Sequence, residues 1–262
     1  MKLHRINAIM LHYWYSSKRS LPRMMDILYW PTVELILWGF ISVFLEKMEL
    51  NTPNAVSFLL GATILWTIFR RSQQDVNLAF LEDIWYRNVV NLFVSPLKIS
   101  EYLVGGIAVA FIKMIFVTIY MAVLAALFYH FNVFTLGFSL IPFIAVLLLF
   151  GWVMGIFISG IIFRFGTDSQ IIAFSFAFLL QPISAVFYPL SVLPVFVQRI
   201  ALLLPTTHIF EGMRFVLTTH TFPLGHFLWG AVLSLVYLFL SCLFFAWMFR
   251  KVRELGLISK VE

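Results

Sequence analysis

Charged residues are scarce in this sequence. Asp, Glu, Lys and Arg make up 11% of it, where a soluble domain carries about 25%. With 62% of residues hydrophobic and a mean hydropathy of +0.97, that scarcity excludes an ordinary soluble fold and identifies an integral membrane protein. Cysteine is nearly absent. The single Cys242 excludes an intrachain disulfide and any cysteine-based metal site. Enzyme signatures are missing as well. There is no G-x-x-x-x-G-K-[ST] loop to cradle phosphates, so ATP is not bound in that manner. There is no H-E-x-x-H, and His4, His12, His130, His208, His220 and His226 show no ligand spacing. No G-x-S-x-G elbow appears. No metal site and no cofactor on this chain are expected. Internal repeats, low-complexity tracts and signs of a second domain are also lacking. No secretory leader is expected, because the first apolar run follows Lys2, Arg5, Lys18, Arg19 and Arg23 with no small-residue cleavage site after it.

Aromatic residues are abundant, with 30 Phe, 8 Trp and 9 Tyr, which suits a lipid-facing and interfacial chain. Six apolar runs read as crossings: 27–45, 55–69, 102–128, 138–163, 170–188 and 227–249. A helical span needs about 20 residues, so the second run must borrow from its flanks. The expected fold is an all-α integral membrane protein of one domain over 1–262. It divides into an arm (1–26), a six-span region (27–249) and a tail (250–262).

The net charge of +6 reports orientation here rather than a nucleic-acid partner. The arm carries Lys2, Arg5, Lys18, Arg19 and Arg23. The second connection carries Arg70, Arg71, Arg87 and Lys98, the fourth Arg164, and the tail Arg250, Lys251, Arg253 and Lys260. The opposite side has only Lys47, Arg199 and Arg214. The bias of basic residues toward the cytoplasm places both termini there. The stretch 187–214 is apolar but interrupted by Pro189, Pro194 and Pro205, with Gln198 and Arg199 in its middle. Proline breaks or kinks a helix, and irregular backbone at membrane depth survives only where protein or water satisfies it. Counting this stretch as a seventh crossing would put the basic tail outside. It is therefore expected to enter on the extracytoplasmic side and return.

In the arm, Leu3, Ile6, Met10, Tyr13 and Trp14 recur at helical spacing. That pattern reads as an interfacial amphipathic helix, against the plainer alternative of a disordered leader. Between 70 and 101 the connection is longer than a hairpin needs. Leu81, Ile84, Trp85, Val89, Leu92 and Phe93 form an apolar stripe, with Glu82, Asp83, Arg87 and Asn91 pointing elsewhere. Ser95 and Pro96 end it. Two readings stand: a helix that only anchors the loop, or a helix that docks a cytosolic partner. Glu34 and Lys113 lie inside spans, where a charge faces protein or water and takes a partner. They are candidates to meet each other, or each to snorkel or pair with backbone. Gln181 is a further intramembrane polar candidate. Gly151, Gly155 and Ser159 form a row of small residues for close helix packing, within a protomer or between two. His208, Glu211 and Arg214 are spaced either as an acid/base group or as ties for the returning segment.

Two of these stretches resemble a known family. The run FLEDIWYRNVVNLFVSPLKISEYLVG is similar to the first coupling region of the type-2 ABC exporter permeases. The run FYPLSVLPVFVQRIALLLPTTHIFEGMR resembles their signature after the fifth span. Leu204 departs from the Asn common before the proline. The resemblance implies a membrane subunit pairing with a second copy of itself and with two cytosolic ABC ATPase subunits, which would hold the ATP and magnesium. It places the chain in the bacterial inner membrane. It implies a coupling helix about 82–93, a smaller contact at 164–169 with Arg164 and Asp168, and an outer gate about 189–205. Glu34 would be a polar candidate along the pathway. An amphipathic drug-like or lipidic substrate and a lipid-linked polysaccharide are both open, as are a lipid-modifying enzyme using His208 and Glu211 and a secondary transporter.

Overall fold

The computed structural model describes residues 2–48, 55–85 and 97–254. Among them the chain is all-helical, without strands. The helices are α1 (Leu3–Lys18), α2 (Leu21–Lys47), α3 (Ala55–Trp85), α4 (Ile99–Tyr129), α5 (Leu140–Phe165), α6 (Gln170–Ile183), α7 (Val195–Ala201), α8 (Pro205–Thr219) and α9 (Leu224–Glu254). Short 3₁₀ turns precede α5 and join α5 to α6.

Among the described residues, four helices are long and apolar enough to cross a membrane: Arg23–Lys47, Ser100–Tyr129, Gly137–Phe165 and Leu224–Glu254. The pair α7 and α8, bent by 99°, makes a fifth if counted as one broken span. The other two expected crossings differ from the reading of the sequence. The run 55–69 does not stop at Phe69. Its helix continues without a break to Trp85, and the polar residues that looked like a loop are buried within the bundle. The run 170–188 yields a helix of only 14 residues.

The centre of the bundle is α5, the most buried of the long apolar helices, packed mainly against α3 and α9. The small-residue row lies within the protomer. A Cβ on Gly151 would stand 2.6 Å from the Ser72 Cβ, and one on Gly155 would stand 2.9 Å from the Val76 Cβ. Glycine is what lets the α3 and α5 backbones approach. Ser159 completes the row by donating to Asn77 Oδ1 at 3.1 Å. Above this seam, Trp66, Phe69, Phe150 and Phe210 form a fully buried aromatic core.

Pro31 sits inside α2 and removes one backbone donor. The neighbouring Thr32 hydroxyl donates to the Leu28 carbonyl and also meets the Tyr120 hydroxyl, each at 2.7 Å, which ties this part of α2 to α4.

Candidate functional site

Two polar assemblies stand out, one at each end of the bundle. The first is a ladder of ion pairs between the antiparallel helices α2 and α3. Arg23 Nε lies 2.8 Å from Glu82 Oε1, Arg71 Nη1 lies 2.7 Å from Asp26 Oδ2, and Arg70 Nη2 lies 3.0 Å from Glu34 Oε2. Thr67 adds a hydroxyl to the Glu34 carboxylate. The guanidinium groups of Arg70 and Arg71 are almost wholly buried, while Asp26 is 42% exposed. Burying an unpaired charge costs several kcal/mol, so each arginine inside the bundle needs its acid. Glu34 thus finds its partner on α3 rather than in Lys113 on α4. Lys113 is half-buried and contributes instead to the field at Glu82.

α1 closes the arm end of the ladder. Asp83 is the hub. Its Oδ2 accepts from the Tyr13 hydroxyl at 2.5 Å and the Tyr102 hydroxyl at 2.7 Å, and its Oδ1 lies 3.3 Å from His12 Nε2. Glu82 accepts from Ser16, whose oxygen also meets Arg23. Glu101 receives the Lys2 backbone N–H at 2.7 Å and lies 3.5 Å from Arg5 Nη1. The hydrogen bond to Asp83 raises the His12 pKa above its usual 6.5, against the opposing effect of burial. Burial pushes the Glu82 carboxyl up, with Arg23 and Lys113 pulling it back. Glu82 and Asp83 are both buried and face inward. Trp85, two residues on, is 43% exposed at the end of α3. Arg87 and Asn91 lie outside the described residues. At the same end, Arg164 is half-buried with its guanidinium over the Phe165 ring, and Asp168 is exposed in the turn Gly166–Ser169.

The second assembly lies at the far end, beyond α6. Arg214 on α8 reaches back to the chain that leaves α6. Its Nη2 donates to the Val186 carbonyl at 3.1 Å, the Tyr188 carbonyl at 2.5 Å and the Ala185 carbonyl, and its Nη1 bonds Glu211 Oε1 at 2.8 Å. The same Glu211 oxygen accepts the Leu190 N–H at 2.7 Å. The guanidinium carbon stands 4.7 Å from the centre of the Phe58 ring on α3. Ala185 adopts a left-handed φ of 51° at the turn, a conformation that a non-glycine residue holds only when its surroundings fix it. Pro194 and Pro205 open α7 and α8, where a missing N–H costs nothing. Pro189 is exposed just before the Leu190–Val192 turn, and Arg199 is exposed on α7. His208 is buried with Nε2 2.9 Å from the Leu202 carbonyl, so it serves the α7–α8 corner and is not joined to Glu211. Gln181 sits half-buried near the end of α6. Among the described residues, no group of three His, Cys, Asp or Glu could hold a metal ion.

Reading the sequence missed Arg70 and Arg71 as interior residues, Asp26 as the partner of Arg71, and Tyr13, Tyr102 and Glu101 as ligands of the arm. One signal was present. Arg23, Asp26 and Glu34 fall on one helical face, since multiples of three and four residues return to the same side.

Residues 9–218 match the family model described as ABC-2 type transporter. No curated protein matches the chain. The match spans most of the molecule, from the arm through the Glu211/Arg214 clamp. The chain therefore belongs to the ABC-2 type transporter family, and it is a multi-pass membrane permease subunit.

Proposed function

We propose that the chain is the membrane subunit of an ATP-driven exporter. Two copies form the pathway, and two separate ABC ATPase subunits dock on the side that carries both termini. In this reading the chain crosses six times, α3 and the 14-residue α6 included, with α7–α8 as a hairpin that enters and returns on the outer side. The membrane is the bacterial inner membrane. The segment that starts at Glu82 and runs through Arg87 and Asn91 takes the main thrust from the ATPase. Arg164 and Asp168 form the smaller contact. The substrate is amphipathic, drug-like or lipidic, and passes near Glu34, Lys113 and Gln181 toward the outer gate.

The observation that carries this reading is the family match over residues 9–218. Two features of the geometry support it. Trp85 is exposed on a helix whose preceding carboxylates are tied to the rest of the bundle, so a push there would be passed to α1, α2 and α4 rather than dissipated. The Glu211/Arg214 clamp ties α8 to the chain that leaves α6, which suits a gate whose two ends move together.

The test is ATP-driven transport by the chain reconstituted with its ATPase. Trp85→Ala and Asp168→Ala should lower transport and ATPase stimulation while leaving folding intact, since both side chains are exposed. Undiminished coupling in both variants, or transport by the chain alone, sinks the proposal.

A further inference from the structure

The N-terminal arm carries two faces of different chemistry. Its inner face is buried through Ile9 and Tyr13, and Tyr13 holds Asp83 at the end of α3. Its outer face shows Leu3 73%, Leu11 54%, Trp14 45% and Tyr15 52% exposed. Lys18 and Arg19 flank that stripe and are exposed too, with the Arg19 guanidinium 5.8 Å from the Tyr15 ring. No acidic residue occurs before Asp26.

This combination restricts what can cover the face. Apolar side chains beside cations, with no acid among them, fit a surface that is apolar just beneath a negative layer. An amphipathic helix with Trp and Leu on its buried side and basic residues alongside binds anionic lipid in this way. Each near-surface Lys or Arg favours an anionic leaflet by about fivefold, so Lys18 and Arg19 together supply roughly 25-fold.

We infer that the outer face of α1 docks on anionic phospholipid headgroups, and that this docking, passed through Tyr13 to Asp83, steadies the end of α3. The arm then makes the order of that segment depend on the charge of the bilayer. Neither step requires an ATPase or a substrate.

The experiment is hydrogen exchange on the full chain in nanodiscs of phosphatidylcholine, with and without phosphatidylglycerol. Phosphatidylglycerol should slow exchange at 3–18 by tenfold or more, on the order of the two cations' joint effect, and should also slow exchange at 78–85. Lys18→Gln with Arg19→Gln should lose most of both effects, and high salt should weaken them. Tyr13→Phe should keep the protection at 3–18 but lose the transmitted part at 78–85. Equal exchange in the two compositions overturns the inference. So does a phosphatidylglycerol effect that survives the double substitution, or protection of 3–18 that follows protein concentration in pure phosphatidylcholine, which would assign the face to a second copy. Protection at 78–85 that persists in Tyr13→Phe overturns the transmission.

Discussion

Replacing Arg214 by Met should cost the far-end assembly its centre. The Arg214 side chain is only 15% exposed, and its guanidinium serves Glu211 and three backbone carbonyls around the turn after α6. A hydrogen bond from a charged group contributes about 1.5–3 kcal/mol. Those contributions do not add in full, because the bonds share one side chain. Removing one partner of a buried pair costs about 3–5 kcal/mol, and that range is the working figure for Arg214→Met. In a domain of this size it corresponds to a fall of on the order of 10 °C in the unfolding midpoint. Arg214→Lys should recover only part of the loss, since one ammonium cannot span Glu211 and three carbonyls. Glu211→Gln should cost about 1–2 kcal/mol, because its carbonyl oxygen can still accept from the Leu190 N–H. The assay is thermal unfolding of the purified chain in detergent, with protection of 185–190 by hydrogen exchange as the local readout. The reasoning is refuted if Arg214→Met unfolds within 2 °C or so of the parent, or if it is no worse than Glu211→Gln.

Three further outcomes are expected. Arg70→Met and Glu34→Gln should each destabilise the chain, Arg70→Met by about 3–5 kcal/mol, and the double variant should lose less than their sum. The exchanged pair Glu34→Arg with Arg70→Glu should recover part of the loss in a thermal scan, whereas Lys113→Glu should not be rescued by Glu34→Lys. The raised His12 pKa means that the protonated pair with Asp83 favours the docked arm; this contribution is complete below pH 6.5 and fades as pH rises through the higher folded-state value, so protection at 3–18 should fall across that window and His12→Gln should flatten the profile. Gly155→Leu should force α3 and α5 apart at Val76, with a stability loss of about 1–3 kcal/mol or more, while Gly225→Ala, where a Cβ meets open space, should be near neutral.

Much of the fold was legible because membrane helices declare themselves by apolar length. The arm was legible through the spacing of Leu3, Ile6, Met10 and Tyr13, and its helix covers them. The close packing at Gly151 and Gly155 was legible as a row of small residues, although only the structure placed α3 opposite it. The middle of α3 was not legible. Arg70, Arg71, Gln73, Asp75 and Asn77 read as a loop because a polar run in an apolar chain looks solvated. The partners of Arg70, Arg71, Asn77 and Gln73 come from distant helices: in turn Glu34 and Asp26 from α2, Ser159 from α5 and the Ala173 carbonyl from α6. Local pattern carries no record of such pairing. The same holds for Glu34, whose partner is fixed by the register of α2 on α3 rather than by depth alone. At the far end, the spacing of Glu211 and Arg214 was visible, but the three carbonyls that Arg214 serves follow from the turn at Ala185, which no residue type announced.

The central claim is that this permease works with a separate ATPase. Affinity purification of the full chain from its native membrane, under mild detergent and with the composition of the complex weighed by native mass spectrometry, tests it most directly. The account predicts two copies of the chain with two copies of an ABC ATPase, and loss of the ATPase when Trp85 is replaced by Glu. A chain that purifies without any nucleotide-binding partner, yet moves its substrate in vesicles lacking ATP, would contradict it.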